Sequence, residues 1–154
     1  MRISLSDSLN KSGIPAIQLS IMGGFYWFIV DTGSNTNLIS SAFPPYQKSD
    51  LEPIGVQDSS GLGGHLVSGA TYRLKYKLEG NFFQDAFSIV DSATFDVFNE
   101  YGMSIIGILG TEFMIHHKAV VDFADGTITL NGQLEDIRLS TRYPQGGDAS
   151  CDAE

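Results

Sequence analysis

A short motif, Asp31-Thr32-Gly33-Ser34, contains the residue types best able to support chemistry in this sequence. It follows residues 25–30, which are aromatic and β-branched throughout and predict a strand covered on both faces. An aspartate at the end of such a strand is costly to bury unless it is hydrogen-bonded or keeps its proton. An Asx-type turn, with the carboxylate accepting from backbone N–H groups, is the ordinary structural explanation. A catalytic acid or base is the functional alternative.

The elements that must position this motif are predicted to be mostly β-strands joined by tight turns. Apolar and polar residues alternate over 17–21 and over 72–78, which is the pattern of strands with one wet face. Turn residues separate pairs of such segments and predict three hairpins. Their strands are 54–56 with 65–67, 72–78 with 83–90, and 119–123 with 127–130.

One short helix is predicted, from Gly110 to about residue 118, directly after a buried strand over 105–109. Thr111 is placed to cap this helix, and Glu112 suits the positive end of its dipole. Residues 42–53 contain three prolines and are predicted to form a surface loop.

Composition limits the class of protein. The chain has 154 residues, enough for one domain, and its 18 acidic and 9 basic residues give a net charge of −9. The few lysines and arginines are scattered along the chain, so we expect no nucleic-acid partner. The longest apolar run, residues 25–30, is far shorter than the roughly 20 residues of a membrane helix, so we expect no membrane partner. A single cysteine, Cys151, excludes an internal disulfide framework.

The first residues, Met1-Arg2-Ile3-Ser4, are not followed by the apolar segment of a signal peptide. We therefore expect a cytoplasmic protein if Met1 is the native start, and a periplasmic or secreted one if a signal peptide was trimmed.

Two adjacent histidines, His116 and His117, invite a metal-site interpretation. Neighbouring positions of a helix point about 100° apart, so these two side chains are not expected to chelate one ion. We interpret them as ordinary residues at a helix end and expect neither a metal nor a cofactor.

Three segments in order carry a resemblance to a known family: residues 28–34, the glycine-rich Gly61-Leu62-Gly63-Gly64, and Ile108-Leu109-Gly110 followed by a helix. Together they resemble a retropepsin-like aspartic protease, and the similarity covers about residues 14–131. The resemblance implies an all-β, closed, barrel-like fold with one short helix near residues 110–118. It also implies a protease domain over 1–131. From about Gly132 the sequence becomes polar, which predicts a C-terminal tail over 132–154.

The resemblance implies a role for each motif residue. Asp31 would be catalytic, Thr32 would hold two active-site loops together, and Gly33 would permit the tight turn. Gly61, Leu62, Gly63 and Gly64 would form a flap that closes over the substrate. Ser34 is similar to the pepsin side of the superfamily, and its hydroxyl is expected to donate a hydrogen bond to the Asp31 carboxylate. Two features depart from the pattern: His65 after the flap tip and an additional stretch over 92–103.

The chemistry of the resemblance requires two carboxylates, but this chain has one Asp-Thr-Gly motif. The counterpart turn at Ile108-Leu109-Gly110 contains no acid. We therefore expect a homodimer in which Asp31 of each subunit contributes to one site that hydrolyses peptide or protein substrates. The two carboxylates would share a proton, so that one activates water while the other donates to the peptide carbonyl.

Two alternatives belong to other functional classes. The same fold could serve as a non-catalytic module for peptide binding or dimerisation. Paired carboxylates also occur in glycoside hydrolases, but no second Asp or Glu is found at a matching strand end. Binding of a pepstatin-type inhibitor would favour the protease over both.

Overall fold

The computed structural model describes residues 1–43, 51–60 and 66–132. In chain order the strands are β1 (Arg2–Ser4), β2 (Ala16–Ile21), β3 (Gly24–Val30), β4 (Leu38–Ser40), β5 (Glu52–Ser60), β6 (Leu66–Leu78), β7 (Asn81–Val90), β8 (Ile105–Leu109), β9 (Ala119–Asp122) and β10 (Thr127–Leu130). The helices are α1 (Ser6–Ser12), α2 (Thr111–His116) and a 3₁₀ segment, Ser92–Tyr101.

Six strands close into a barrel in the order β2-β3-β8-β4-β7-β6, and β6 meets β2 again where Lys77 pairs with Ser20. Strand β5 extends the sheet beyond β6, while β1, β10 and β9 form a separate antiparallel sheet. The prediction of an all-β, closed, barrel-like fold is confirmed, and so are the hairpins of 72–78 with 83–90 and of 119–123 with 127–130. The predicted pairing of 54–56 with 65–67 is wrong, because Gly55 pairs with Thr71 and Val56 with Ala70 in a strand β6 that continues unbroken from Leu66 to Leu78.

Strand β8 lies between β3 and β4, parallel to β3 and antiparallel to β4. Gly107 allows this close packing, because a Cβ atom there would collide with the Phe28 ring and lie 2.7 Å from the Leu38 carbonyl oxygen. Since parallel strands end at the same edge of a sheet, the turns that follow β3 and β8 are neighbours. This arrangement positions the Asp31 motif.

The main core fills the barrel and includes the inward side of the separate sheet. Its fully buried members include Leu5, Leu19, Ile21, Phe28, Leu109, Phe113 and Ile128. A second cluster lies on the opposite face of β3 and β8, where Phe95 and Met103 cover Ile29 and Ile105. The additional stretch over 92–103 is therefore a cover for the outside of the barrel. Both faces of β3 are buried near its end, as predicted, but Phe25 at its start is 72% exposed.

Three short elements differ from the expectation of a single helix. Helix α1 and strand β1 are not predicted because they are short, and the ten-residue 3₁₀ segment is not predicted because it depends on the barrel face that it covers. Helix α1 depends on tertiary contacts, since Leu5 and Ser8 at its start are fully buried. Helix α2 begins where predicted but ends at His116.

The surface loop predicted over 42–53 is wrong at its end, because β5 already begins at Glu52. Pro53 is tolerated there because β5 pairs only with β6 among the described strands, and the register shifts between Pro53 and Gly55. Most of the predicted tail over 132–154 lies outside the described residues. No helix among the described residues has the length and apolar character needed to cross a membrane.

Candidate functional site

Asp31 directly follows β3, and its backbone is tied to the end of the neighbouring strand. Its N–H donates to the Leu109 carbonyl at 3.0 Å, and its side-chain Oδ1 accepts from the Gly33 N–H at 2.8 Å. The expected Asx turn is therefore present. The Asp31 side chain is half-buried, whereas Thr32 and Gly33 are exposed. The turn thus presents a carboxylate at the surface on a backbone fixed by two strands.

Ser34 is buried beneath the turn. Its hydroxyl donates to the Thr36 carbonyl at 2.8 Å, and its own carbonyl accepts from the Thr111 N–H at 2.8 Å. A hydroxyl has one proton to donate, so the expected hydrogen bond from Ser34 to the Asp31 carboxylate is not formed in this chain. The chain turns sharply after Ser34, and the Thr36 carbonyl is the acceptor brought to the hydroxyl. In this structure Ser34 supports the backbone of the turn.

The turn after β8 packs directly on the Asp31 turn. A Cβ atom on Gly110 would collide with the Thr36 carbonyl oxygen and lie 2.7 Å from that of Ser34. The residue must be glycine for steric reasons, because its φ of −88° suits any residue. The two turns predicted as counterparts in the sequence are therefore in contact, and the Gly110 turn contributes no acid.

Asn37 connects these two turns to a third strand. It is fully buried, its Oδ1 accepts from the Gly110 N–H at 2.9 Å, and its Nδ2 donates to the Ala86 carbonyl of β7 at 3.1 Å. Asn37 is not among the residues predicted for the site. A polar residue directly before the apolar pair Leu38-Ile39 was the available signal.

The remaining predicted site residues have different outcomes. The side chain of Thr32 is exposed in the single chain, so a role in joining two active-site loops would require a second subunit. Gly61, Leu62, Gly63 and Gly64, the predicted flap tip, lie outside the described residues.

A second polar cluster, Tyr76, Asp85, His116 and His117, lies at the far end of α2. Asp85 Oδ1 is 2.6 Å from His116 Nδ1, while Oδ2 is 2.8 Å from His117 Nε2 and accepts from the Tyr76 hydroxyl at 2.5 Å. Asp85 is 6% exposed and His117 1% exposed. We call these four residues the Asp85 cluster. It attaches the end of α2 to strands β6 and β7.

The expectation that the two histidines point apart is wrong, since their ring centroids are only 4.5 Å apart. The helical step of about 100° does not extend to His117, because α2 ends at His116 and His117 has φ −96° and ψ 7°. Asp85 could have been found in the sequence. Asp85 lies between Phe83 and Phe87 in the period-2 pattern of β7 and therefore on the same inward face, where a buried acid needs a partner.

Electrostatics in the Asp85 cluster follow from burial and hydrogen bonding. Burial acts to raise the pKa of Asp85, but hydrogen bonds from His116, His117 and Tyr76 outweigh it and hold that pKa below its usual value. The hydrogen bond to Asp85 raises the pKa of His116, against the opposing effect of partial burial. Burial, together with the negative charge of Asp85, raises the pKa of Tyr76 well above its usual value. The carboxylate is therefore the ionised acceptor of the cluster.

Three members of the Asp85 cluster have residue types that bind metals, and one atom each of Asp85, His116 and His117 lies within 4.8 Å of the others. Ligands about 2.0–2.1 Å from a tetrahedral zinc ion lie about 3.3 Å from one another. The observed oxygen–nitrogen separations of 2.6 and 2.8 Å are hydrogen-bond lengths instead. We therefore treat the Asp85 cluster as a hydrogen-bonded network.

Comparison with models of protein families and with curated proteins gave no match to this chain. The interpretation of the site therefore rests on its own geometry and on the motifs in the sequence.

Proposed function

We propose that this protein is a homodimeric aspartic endopeptidase of the retropepsin-like type, with one active site formed by Asp31 of each subunit. One observation carries the proposal. The half-buried Asp31 and the acid-free Gly110 turn pack together at the ends of two parallel strands, with Thr32 and Gly33 exposed. Neither of these two turns supplies a second acid, so in the proposed dyad the second acid comes from another chain.

The geometry of the turn favours this use of Asp31. Its backbone is held by β8, and one carboxylate oxygen is oriented by the Gly33 N–H. A carboxylate fixed in this way needs little reorganisation to act on a bound substrate. The exposed Thr32 and Gly33 leave the turn accessible to an identical turn across a two-fold axis.

In the proposed reaction the two Asp31 carboxyl groups hold one proton between them. The ionised carboxylate removes a proton from water as the water oxygen bonds to the peptide carbonyl carbon. The protonated carboxyl group donates its proton to the carbonyl oxygen. The carbon–nitrogen bond then breaks as the nitrogen receives a proton from the dyad and a hydroxyl group of the tetrahedral intermediate returns its proton to the dyad. This step releases an acid and an amine and leaves the dyad with its one shared proton.

The test is the substitution Asp31→Asn. Asparagine can still accept the Gly33 N–H, so fold and subunit association should be retained while peptide cleavage is abolished, because an amide is neither an acid nor a base at this pH. Cleavage of an unfolded protein substrate between pH 4 and 7 is followed by mass spectrometry.

Asp91→Asn is the matched control, because Asp91 also accepts the N–H of the residue two positions later, at 2.9 Å, in a turn elsewhere in the chain. This variant should cleave like the parent. Undiminished cleavage by purified Asp31→Asn, or no cleavage by a folded dimeric parent across this pH range, would refute the proposal.

A further inference from the structure

We infer that Asn37 is a positioning residue for the proposed active site, setting the Gly110 turn, and through it the Asp31 turn, against strand β7. This inference rests on the proposed function as far as catalysis is concerned. Asn37 does not contact the Asp31 carboxylate, and it acts through backbone groups on either side.

Asn37 is suited to this role because its amide supplies an acceptor and a donor at once. The acceptor takes the Gly110 N–H at 2.9 Å, and the donor reaches the Ala86 carbonyl at 3.1 Å. The Asn37 backbone carbonyl accepts from the Ser88 N–H at 2.9 Å, so side chain and main chain both bind β7.

The contact at Gly110 is transmitted to the Asp31 turn over very few atoms. Gly110 packs against the Ser34 and Thr36 carbonyls, and the next residue, Thr111, donates its N–H to Ser34. A displacement of Gly110 therefore displaces the turn that orients Asp31. Misplacement of a reacting group by about 1 Å can reduce turnover about a hundredfold.

Polar contacts with strand β7 are found at both ends of α2, and the Asp85 cluster supplies those at its C-terminal end. Asp85 and Ala86 are adjacent on β7. The Ala86 carbonyl binds Asn37, which in turn binds Gly110 directly before α2, while Asp85 binds His116 and His117 at the end of α2. Both ends of a six-residue helix are thereby fixed to one place on one strand. Of the residues that make these contacts, Asn37 is the one that binds the Gly110 turn of the proposed active site.

The experiment compares Asn37→Ala with Ser8→Ala in the full chain. Ser8 is a close match, since it is also fully buried, accepts a backbone N–H (from Ala16, 2.9 Å) and donates to a backbone carbonyl (of Leu5, 3.0 Å). Both variants lose a bridging side chain, but only one of them lies at the turns. Ser8→Ala therefore reports the effect of destabilisation alone.

We expect Asn37→Ala to reduce kcat at least tenfold while KM changes less than threefold, and Ser8→Ala to leave both unchanged at a temperature where each variant is folded. We also expect amide hydrogen exchange at Gly110 to accelerate at least tenfold in Asn37→Ala and to remain at the parent rate in Ser8→Ala. If Asn37→Ala does not fold, Asn37→Ser replaces it, because a hydroxyl is too short to bridge both partners.

The exchange measurement separates the two proposals. A parent without peptidase activity would refute the proposed function, yet accelerated exchange at Gly110 would still support the positioning role. Parent-like exchange at Gly110 in the Asn37 variant would overturn that role. So would an equal loss of kcat in the Asn37 and Ser8 variants.

Discussion

Ser34 shows how a single hydrogen bond alters what is expected of a residue. The resemblance to retropepsin-like proteases implies that its hydroxyl lies beside the Asp31 carboxylate, but in the structure the hydroxyl donates to the Thr36 carbonyl. Its removal should therefore weaken the turn without changing the pH dependence of peptide cleavage. The residue is a support for the backbone rather than a partner of the reacting group.

For Ser34→Ala we expect the free energy of unfolding to fall by about 1 kcal/mol, the usual value of one such hydrogen bond. The pH–rate profile should keep its shape and position. Ser12→Ala is the control, because the Ser12 hydroxyl makes a similar bond to the Ser8 carbonyl at 2.9 Å, far from the turn. An acidic limb displaced to higher pH in Ser34→Ala alone would contradict this expectation.

The residues of the site differ in how far the sequence reveals them. Asp31 can be located because a carboxylate at the end of an apolar strand is conspicuous, and its Asx turn follows from local geometry. Asn37 and Asp85 depend on partners distant in the chain, Gly110 for one and the two histidines for the other. The pattern of β7 marks Asp85 as an inward-facing acid, but no local pattern identifies the partners of either residue. Only the folded topology reveals these contacts.

At the level of elements, α2 is too short to be stable by itself and depends on its attachments. The Asp85 cluster is one of them, and it is sensitive to pH. The charged and titratable groups around His116 are Asp85 from β7, His117 at the helix end, Tyr76 from β6, and Glu112, whose charge also raises the pKa of His116.

The direction in which stability changes with pH follows from the pKa shifts of His116 and Asp85. The pKa of His116 is raised by folding, so its contribution to stability is complete below its ordinary value of 6.5 and is lost as pH rises through the folded pKa. The pKa of Asp85 is lowered, so its contribution is present above 3.8 and is lost as pH falls through the folded pKa. The cluster should therefore stabilise the protein most between these two values.

The measurement is urea unfolding from pH 4 to pH 9 for the parent and for His116→Gln. The difference in unfolding free energy between the two proteins should be largest near pH 5 and should shrink as pH rises above 6.5. Subtracting the two curves removes the contributions of titrating groups that do not interact with His116. A difference that is constant with pH, or that grows towards pH 9, would contradict the assignment.

The elements themselves were predictable to the extent that their patterns were local. Alternation revealed two of the hairpins, and the run ending in Gly110 revealed β8 and the start of α2. Helix α1 could not be predicted from the sequence, because its seven residues are mostly polar and its stability comes from the burial of Leu5 and Ser8. The 3₁₀ segment could not be predicted either, because it covers a face of the barrel that forms only when β3 pairs with β8.

At the level of the whole molecule, the proposed site exists only between two chains, which makes subunit mixing a direct test. A mixed dimer of parent and Asp31→Asn holds one ionisable carboxyl group at the site and should be inactive. Adding a ninefold excess of Asp31→Asn to the parent, with time for exchange, should reduce activity about tenfold if subunits mix at random. Asp91→Asn, added in the same excess, should not reduce the activity.

Sedimentation of each mixture shows whether dimers form, and native mass spectrometry with isotope-labelled variant chains shows whether subunits have exchanged. Activity that remains in proportion to the parent chains, although the subunits have exchanged, would locate the site within a single subunit.

The position of β8 between β3 and β4 also affects how the chain acquires its fold during synthesis. Strand β8 lies between β3 and β4 in the sheet but much later in the chain, since Val30 pairs with Leu109. Strands β3 and β4 therefore leave the ribosome well before β8. Pairings between such distant segments slow folding, since a long loop must close before any contact is gained. Until residues 105–111 have been made, the Asp31 motif has neither the Leu109 carbonyl nor the Gly110 turn beside it. A nascent chain therefore carries the complete motif long before it can carry the site.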